Sequence, residues 1–154
     1  MSYKIFDEEV EELIESDVSK AVDLILSRVQ RVYGAVPLVH RFLAKRPEVF
    51  IPYIKLFAQV LLKPKHLSRR DVELIALSAS IALRCRPCIE AHVEGALRAG
   101  ASKEEVVEAM LVAASIAQAS SLGEGFRALM SVGAEEPTSQ PWLKPRNSAG
   151  IGST

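Results

Sequence analysis

The residues best suited to chemistry stand together in one short segment, CRPCIEAH, from Cys85 to His92. Both cysteines of the chain lie here, three positions apart, and His92 follows Cys88 by four positions. Two sulfurs at this spacing can form a short-range disulfide, so one thiol can attack a substrate while the other resolves the product. An imidazole one helical turn from a thiol can act as its base or as its cationic partner. The segment therefore predicts thiol redox chemistry.

The surrounding residues predict that this segment begins a helix. Pro87 suits the first turn of a helix, and Gly100, which tolerates the left-handed conformation, suits its end. Cys88 would then lie in the first turn, where unpaired N–H groups and the positive end of the helix dipole stabilise a thiolate. Arg84 and Arg86 would add positive charge if they face the sulfurs, and they are solvated if they do not.

Two other interpretations of the segment stay open from the residues alone. A histidine on an amphipathic helix is often a hydrogen-bonded structural residue. Cys85, Cys88 and His92 could also supply three ligands to zinc, with a carboxylate or water as the fourth. Zinc fingers usually bring a second ligand pair, and the remaining histidines, His40 and His66, form no local pair. We therefore predict no metal site.

The elements that position these residues are predicted to be helices throughout. Apolar residues recur every three or four positions, and no convincing alternation of period two is present. Prolines and glycines mark the ends of these periodic stretches, and hydroxyls three positions before a carboxylate mark two capping boxes. The predicted helices cover about residues 7–33, 37–45 and 47–63, begin again at Ser68 and Ser102, and include the one that Pro87 opens. The fold class predicted is all-α.

Composition predicts a soluble protein. Of the 154 residues, 49% are apolar and 25% are charged, and Lys plus Arg equals Asp plus Glu at 19 each. A chain without net charge has no broad field to attract nucleic acid or an anionic membrane. The N-terminus resembles neither a secretory signal nor a transit peptide, and apolar stretches such as Leu74 to Leu83 are shorter than the ~20 residues of a membrane-spanning helix. We expect a cytoplasmic protein with no nucleic acid or membrane partner.

The domain organisation predicted is one domain over residues 1–134 and a tail over residues 135–154 that is rich in Pro, Ser and Gly. A chain of this length buries only about 68–70% of its unfolded surface. Apolar helix faces that find no cover within the chain would be covered most simply by identical chains. The small residues from Ala109 to Ser120 permit close helix packing, either in the core or between subunits.

Glu73 completes a pattern that resembles a known family. It lies twelve positions before Cys85, in the segment DVELIALSAS. The pattern E-x11-C-x2-C-x3-H, followed by GASKEEVVEA from Gly100 to Ala109, resembles the carboxymuconolactone decarboxylase family in its alkylhydroperoxidase D-like branch. The resemblance covers about residues 33–118, including YGAVPLVHRFLAKRPEVF and the L-S-x-R-x-x-E-L-I-A-L entry to the Glu73 helix.

The resemblance implies a helical bundle of the alkylhydroperoxidase D-like type that assembles into trimers or hexamers. By position, Cys88 matches the peroxide-reactive cysteine and Cys85 its resolving partner, while Glu73 and His92 match a proton relay that activates the thiol. Members that decarboxylate lactones generally lack the cysteine pair. The family thus implies an enzyme without a cofactor that reduces a hydroperoxide with electrons from a dithiol donor.

Two features depart from the family pattern. Arg86 and Pro87 stand between the cysteines, where related proteins often carry an aromatic residue or a histidine, so the substrate remains open. The chain also holds one copy of the unit rather than two, so other subunits would complete the assembly. The alternatives to a peroxidase are a non-enzymatic metal-binding or scaffold protein on the same fold, or a carboxymuconolactone-type decarboxylase.

Overall fold

A computed structural model describes residues 5–135 of the chain. This part contains helices and no strand, which confirms the all-α prediction. Apart from Glu135, the predicted tail lies outside the described residues. The helices are α1 (Glu8–Ser16), α2 (Val18–Tyr33), α3 (Leu38–Leu43), α4 (Pro47–Leu61), α5 (Arg69–Ala82), α6 (Arg86–Arg98) and α7 (Lys103–Ser131).

The chain divides into two compact units, with the boundary between Ser115 and Ile116 inside α7. The first unit contains α1 to α6 and the beginning of α7, and it holds every residue of the predicted site. Within the described residues, the second unit consists of the remainder of α7 and the four residues that follow it.

The prediction of one helix over residues 7–33 is wrong, because the chain turns at Asp17. The backbone N–H of Asp17 closes α1 by donating to the Leu13 carbonyl at 2.7 Å. Its side chain then accepts a hydrogen bond from the Lys20 N–H at 3.1 Å and so caps α2. A short acidic side chain competes for backbone donors in this way, and apolar periodicity does not reveal it.

The first unit contains two apolar clusters, each built by three helices. The first joins α1, α2 and α4 with Ile5 and Phe6, and the second joins α5, α6 and the start of α7. Burying one large apolar side chain contributes roughly 1.5–3 kcal/mol. The buried members are Val10, Val22, Ile25, Val29, Phe50, Ile54 and Ala58 in the first cluster, and Leu77, Ala96, Ala101 and Val106 in the second. The second cluster is built partly by α5 and α6, the helices that carry the predicted site residues.

Both predicted capping boxes are confirmed at the starts of α5 and α7. The Ser68 hydroxyl accepts from the Asp71 N–H at 3.1 Å, and the Asp71 carboxylate accepts from the Ser68 N–H at 3.3 Å. Ser102 and Glu105 make the same reciprocal pair at 3.0 and 2.8 Å. Caps of this kind are worth about 1 kcal/mol each, and they fix where α5, the helix of Glu73, begins.

The helix α7 is long and largely exposed. It has 29 residues, of which Val106 and Ala113 are buried. Most of the small-residue run over 109–120 is therefore not core. In residues 5–135, α7 is the one helix that is long and apolar enough to cross a membrane. The apolar stretch over residues 74–83 is not. Its exposed large apolar side chains are Val107, Leu111, Val112, Ile116, Leu122, Phe126, Leu129 and Met130.

His40 is buried among aromatic rings in the first unit. It is 2% exposed, and its ring centroid lies 5.7 to 6.1 Å from those of Phe50, Tyr53 and Phe57. Its Nδ1 atom has no hydrogen-bond partner. Burial disfavours the charged form of the ring and lowers the pKa of His40 below its ordinary value.

We therefore expect the free energy of unfolding to decrease as the pH falls below about 6.5, the usual pKa of an exposed histidine. The unfolded chain binds a proton there that the folded protein does not, so stability is lost between the unfolded and the folded pKa, by at most about 1.4 kcal/mol per pH unit. Urea unfolding of wild type and His40→Phe across this range measures the effect. In His40→Phe, the free energy of unfolding should decrease less steeply as the pH falls. If it decreases as steeply as in wild type, other groups cause the loss of stability.

Candidate functional site

The cysteine pair lies at the junction of α5 and α6. Cys85 is the N-cap residue of α6 and Cys88 lies in the first turn, which confirms the predicted helix start. A disulfide joins the two sulfurs, and the Cα atoms are 5.3 Å apart. Both residues are partly exposed, so the pair is accessible from solvent.

A Schellman motif at the end of α5 sets the position of Cys85. The Arg84 N–H donates to the Ile81 carbonyl at 3.0 Å, and the Cys85 N–H donates to the Ser80 carbonyl at 2.9 Å. Arg84 has φ 54°, in the left-handed region that glycine usually occupies at this position. An L-residue there costs roughly 1–2 kcal/mol, and the two hydrogen bonds hold the turn.

The arginines beside the cysteines are both exposed. Arg86 donates to Glu90 at 3.0 Å, so its charge is paired at the surface. The solvated interpretation of Arg86 is the one that the structure supports. Any stabilisation of a thiolate at Cys88 therefore comes chiefly from the start of α6 and from the groups described next.

Glu73 and His92 form a hydrogen-bonded pair between α5 and α6. Glu73 is 2% exposed, and its Oε2 atom lies 2.7 Å from Nδ1 of His92. An ionised carboxylate only accepts hydrogen bonds, so when Glu73 is ionised Nδ1 is the donor and Nε2 is the ring nitrogen left to take up a further proton. His92 lies one turn after Cys88 on the same face of α6. The structure thus joins the four predicted site residues in two bonded pairs, Glu73 with His92 and Cys85 with Cys88.

Arg69, which we did not predict, is the second partner of Glu73. Its Nη2 donates to Oε1 of Glu73, and its Nη1 donates to the carbonyl of Leu61, the last residue of α4. The sequence carried one signal, since arginine precedes glutamate by four residues on a predicted helix. That spacing alone does not tell a buried ion pair from a surface pair.

Tyr33, at the end of α2, was also missed. Burial raises the pKa of Tyr33 to about 12, while the charge of Arg69 acts to lower it and that of Glu73 to raise it. Tyr33 is therefore neutral at physiological pH and lies within the electrostatic reach of the site. Tyr33 thus places the end of α2 within electrostatic range of Arg69 and Glu73.

Gly95 provides the space that Glu73 occupies. A Cβ atom at this position would lie 2.6 Å from both Cδ and Oε2 of Glu73 and 2.9 Å from Oε1. The carboxylate cannot move aside freely, because Arg69 and His92 hold its two oxygens. Glycine inside a helix is unfavourable by roughly 0.5–1 kcal/mol relative to alanine, and here that cost accompanies the close approach of the two helices.

Gly95→Ala is expected to displace Glu73 from His92, although alanine is the better helix former. We expect lower stability in urea and slower alkylation of reduced Cys88. Gly125→Ala in α7 is the matched control, since no atom lies within 4 Å of the added Cβ, and it should be neutral or stabilising by up to about 1 kcal/mol. If Gly95→Ala reacts as fast as wild type, the position of the carboxylate does not govern the thiol.

The three-ligand zinc arrangement that the sequence allowed is not formed. Among residues 5–135, no three His, Cys, Asp or Glu side chains converge to hold a metal ion. The sulfurs of Cys85 and Cys88 are bonded to each other, and Nδ1 of His92 is bonded to Glu73. The groups that would bind zinc are therefore engaged with one another.

Comparison with known proteins identifies a curated relative and a family. A protein of Paracoccus denitrificans described as "Uncharacterized protein 4 in cox locus" is 38% identical over 63 residues, which are 41% of this chain and 57% of the relative. The chain thus spans little more than half the length of that relative. No solved structure matches the chain significantly.

The family match covers the site itself. The carboxymuconolactone decarboxylase family model matches residues 47–130, a range that contains Glu73, both cysteines and His92 together with α4, α5, α6 and nearly all of α7. Because this range is more than half of the 154 residues, the chain belongs to the carboxymuconolactone decarboxylase family.

Proposed function

We propose that this protein is a thiol-dependent oxidoreductase of the alkylhydroperoxidase D-like branch, which reduces hydroperoxides through Cys85 and Cys88. One observation carries the proposal: a cysteine pair at a helix N-terminus lies on the same helix as His92, which is bonded to the buried Glu73. The first group can exchange electrons, and the second can move a proton. A lactone decarboxylase has no evident use for the cysteine pair.

The first half of the reaction begins with both cysteines reduced. Cys88 gives its proton to Nε2 of His92, and Glu73 stabilises the imidazolium that forms. The thiolate attacks the hydroperoxide, an S–O bond forms, and the O–O bond breaks. The leaving alkoxide takes the proton from His92 and departs as an alcohol, which leaves Cys88 as a sulfenic acid.

The second half restores the thiols. Cys85 attacks the sulfenic sulfur of Cys88, an S–S bond forms, and water leaves, so that the pair has lost two electrons. The disulfide in the structure corresponds to this oxidised state. A dithiol donor then reduces it by thiol–disulfide exchange and becomes a disulfide itself. We place this cycle in the cytoplasm, where such donors are kept reduced.

Peroxide consumption by the purified protein tests the proposal. With dithiothreitol as donor and cumene hydroperoxide as substrate, we expect catalytic loss of peroxide with equimolar oxidation of dithiol. Metal analysis of the same sample tests the alternative. About one zinc per chain, without turnover, would favour a metal-binding protein, and neither zinc nor turnover would favour a scaffold.

We further propose that the chain forms a closed homo-oligomer, either a trimer or a hexamer built from two trimers. The support is the set of exposed apolar side chains on α7, among them Ile116 at 68% and Leu111 at 62% exposure. Apolar surface of this extent is unfavourable in water, and identical chains in cyclic symmetry cover it without leaving an open face.

Light scattering at micromolar concentration should therefore report the mass of the proposed trimer or hexamer rather than that of one chain. Ile116→Glu should lower that mass, whereas Gln118→Glu, two positions away, should not. A wild-type monomer with full thiol activity would contradict the assembly. Recovery of the protein with lipid vesicles rather than as an oligomer would instead assign the α7 surface to a membrane.

A further inference from the structure

We propose that Arg69 is a positioning residue that keeps Glu73 ionised while His92 remains neutral, so that Nε2 of His92 is free to take a proton. The relevance of this role to peroxide reduction rests on the proposed function. The role itself rests on the contacts of Arg69, and it is testable in the oxidised protein without any turnover.

The two oxygens of Glu73 have different partners. Oε2 accepts from His92 at 2.7 Å, and Oε1 accepts from Arg69. The side chains of Glu73, His92 and Arg69 are 3%, 13% and 22% exposed, so water screens their charges little. Each oxygen thus has one hydrogen-bond partner, and the carboxylate links the permanently charged Arg69 to the titratable ring of His92.

Charge balance explains what the second partner does. Burial disfavours an ionised carboxylate unless a positive charge lies beside it. If histidine were its only partner, the carboxylate would favour the imidazolium form of the ring, in which Nε2 already holds a proton. Arginine stays protonated at any physiological pH, so Arg69 supplies the charge permanently. His92 then serves as a hydrogen-bond donor to Glu73 without being charged.

The other groups around the carboxylate do not replace Arg69. Tyr33, from α2, is neutral because burial raises its pKa to about 12. Arg98, from α6, is directed to the Val32 carbonyl at 3.3 Å and lies 3.7 Å from Glu94. From α4, the contact runs through the carbonyl of Leu61. Among residues 5–135, Arg69 is thus the arginine or lysine paired directly with Glu73.

The bond to Leu61 holds the guanidinium in place. The last carbonyls of a helix lack intrahelical donors and carry partial negative charge, and Nη1 of Arg69 satisfies one of them at the end of α4. A guanidinium can make both bonds because its donors diverge in a rigid fork. A lysine ammonium at the same position would keep the charge and lose part of this geometry.

The titration of His92 in Arg69→Met tests the proposal. In the oxidised protein, where no thiol titrates, NMR of the ring should show the titration midpoint of His92 about one pH unit or more higher than in wild type, the size expected for loss of an adjacent charge. His92→Asn assigns the resonance. Arg69→Lys should titrate close to wild type.

Arg70→Met is the matched control, since Arg70 lies on the same turn of α5 and pairs with Glu105 at 2.6 Å rather than with Glu73. It should leave the midpoint unchanged. An unchanged midpoint in folded Arg69→Met, or an equal shift in Arg70→Met, would overturn the proposal. If Arg69→Met does not fold, Arg69→Gln removes the same charge while keeping a donor for Glu73. The titration midpoint of His92 in Arg69→Gln then tests the proposal in the same way. A shifted midpoint with no turnover in any variant would leave this inference standing and refute the peroxidase.

Discussion

Cys88→Ser is expected to reduce peroxide consumption to the uncatalysed background, because Cys88 is the cysteine within the first turn of α6, one helical turn before His92. Cys85→Ser should still react once with peroxide, since the attacking thiol is intact, and should then stop as a sulfenic acid that a dimedone probe can trap. Mass spectrometry of wild type after mild peroxide should show the loss of two hydrogens across the pair.

The two cysteine variants control each other, because both remove the disulfide and only one removes the attacking sulfur. Sustained turnover by Cys85→Ser would show that Cys85 does not resolve the product. Independent oxidation of both wild-type cysteines to sulfinic acids would show the same. Equal one-round reactivity of the two variants would exchange the roles that we assign.

His92→Leu and Glu73→Gln are each expected to slow alkylation of reduced Cys88 near neutral pH by ~10²–10⁴-fold, the usual contribution of a positioned general base. The reason is that the first change removes the base and the second removes the acceptor that orients its ring. Iodoacetamide labelling rates measure the effect. Glu73→Gln should also lower the free energy of unfolding by roughly 3 kcal/mol or more, because it leaves the charge of Arg69 without its buried partner.

His66→Leu is the control for the histidine variant, because His66 is exposed in the loop between α4 and α5. Its labelling rate should equal that of wild type. If both site variants also label at the wild-type rate while remaining folded, Glu73 and His92 have structural roles, and activation of the thiol must come from the helix N-terminus alone.

Features that depend on a few neighbouring residues could be predicted from the sequence. The capping boxes at Ser68 and Ser102 and the helix start at the cysteine pair are of this kind, because local hydrogen bonds and backbone preferences determine them. The break at Asp17 was also local, but the apolar period continues through it and conceals the cap.

Features that depend on packing could not be predicted in the same way. In the sequence, Gly95 is a glycine of low helix propensity within a helix. Only the structure shows that the absence of a side chain there leaves space for the Glu73 carboxylate. Arg69 and Arg70 are adjacent and chemically identical, yet one binds the buried carboxylate and the other binds Glu105. The direction of each side chain around α5 decides this, and that direction follows from which face of α5 meets α6.

Because of the Schellman turn after α5, the number of residues between Glu73 and Cys85 determines how these two residues are oriented relative to each other. Every peptide unit from Glu73 to Cys85 belongs either to the helix or to this hydrogen-bonded turn. This segment therefore contains no flexible loop that could accommodate an inserted or deleted residue. One residue inserted into this segment would rotate Glu73 by about 100° around the axis of α5 and turn its carboxylate away from His92. Many exposed residues of α5 can therefore be substituted, whereas the number of residues between Glu73 and Cys85 cannot change.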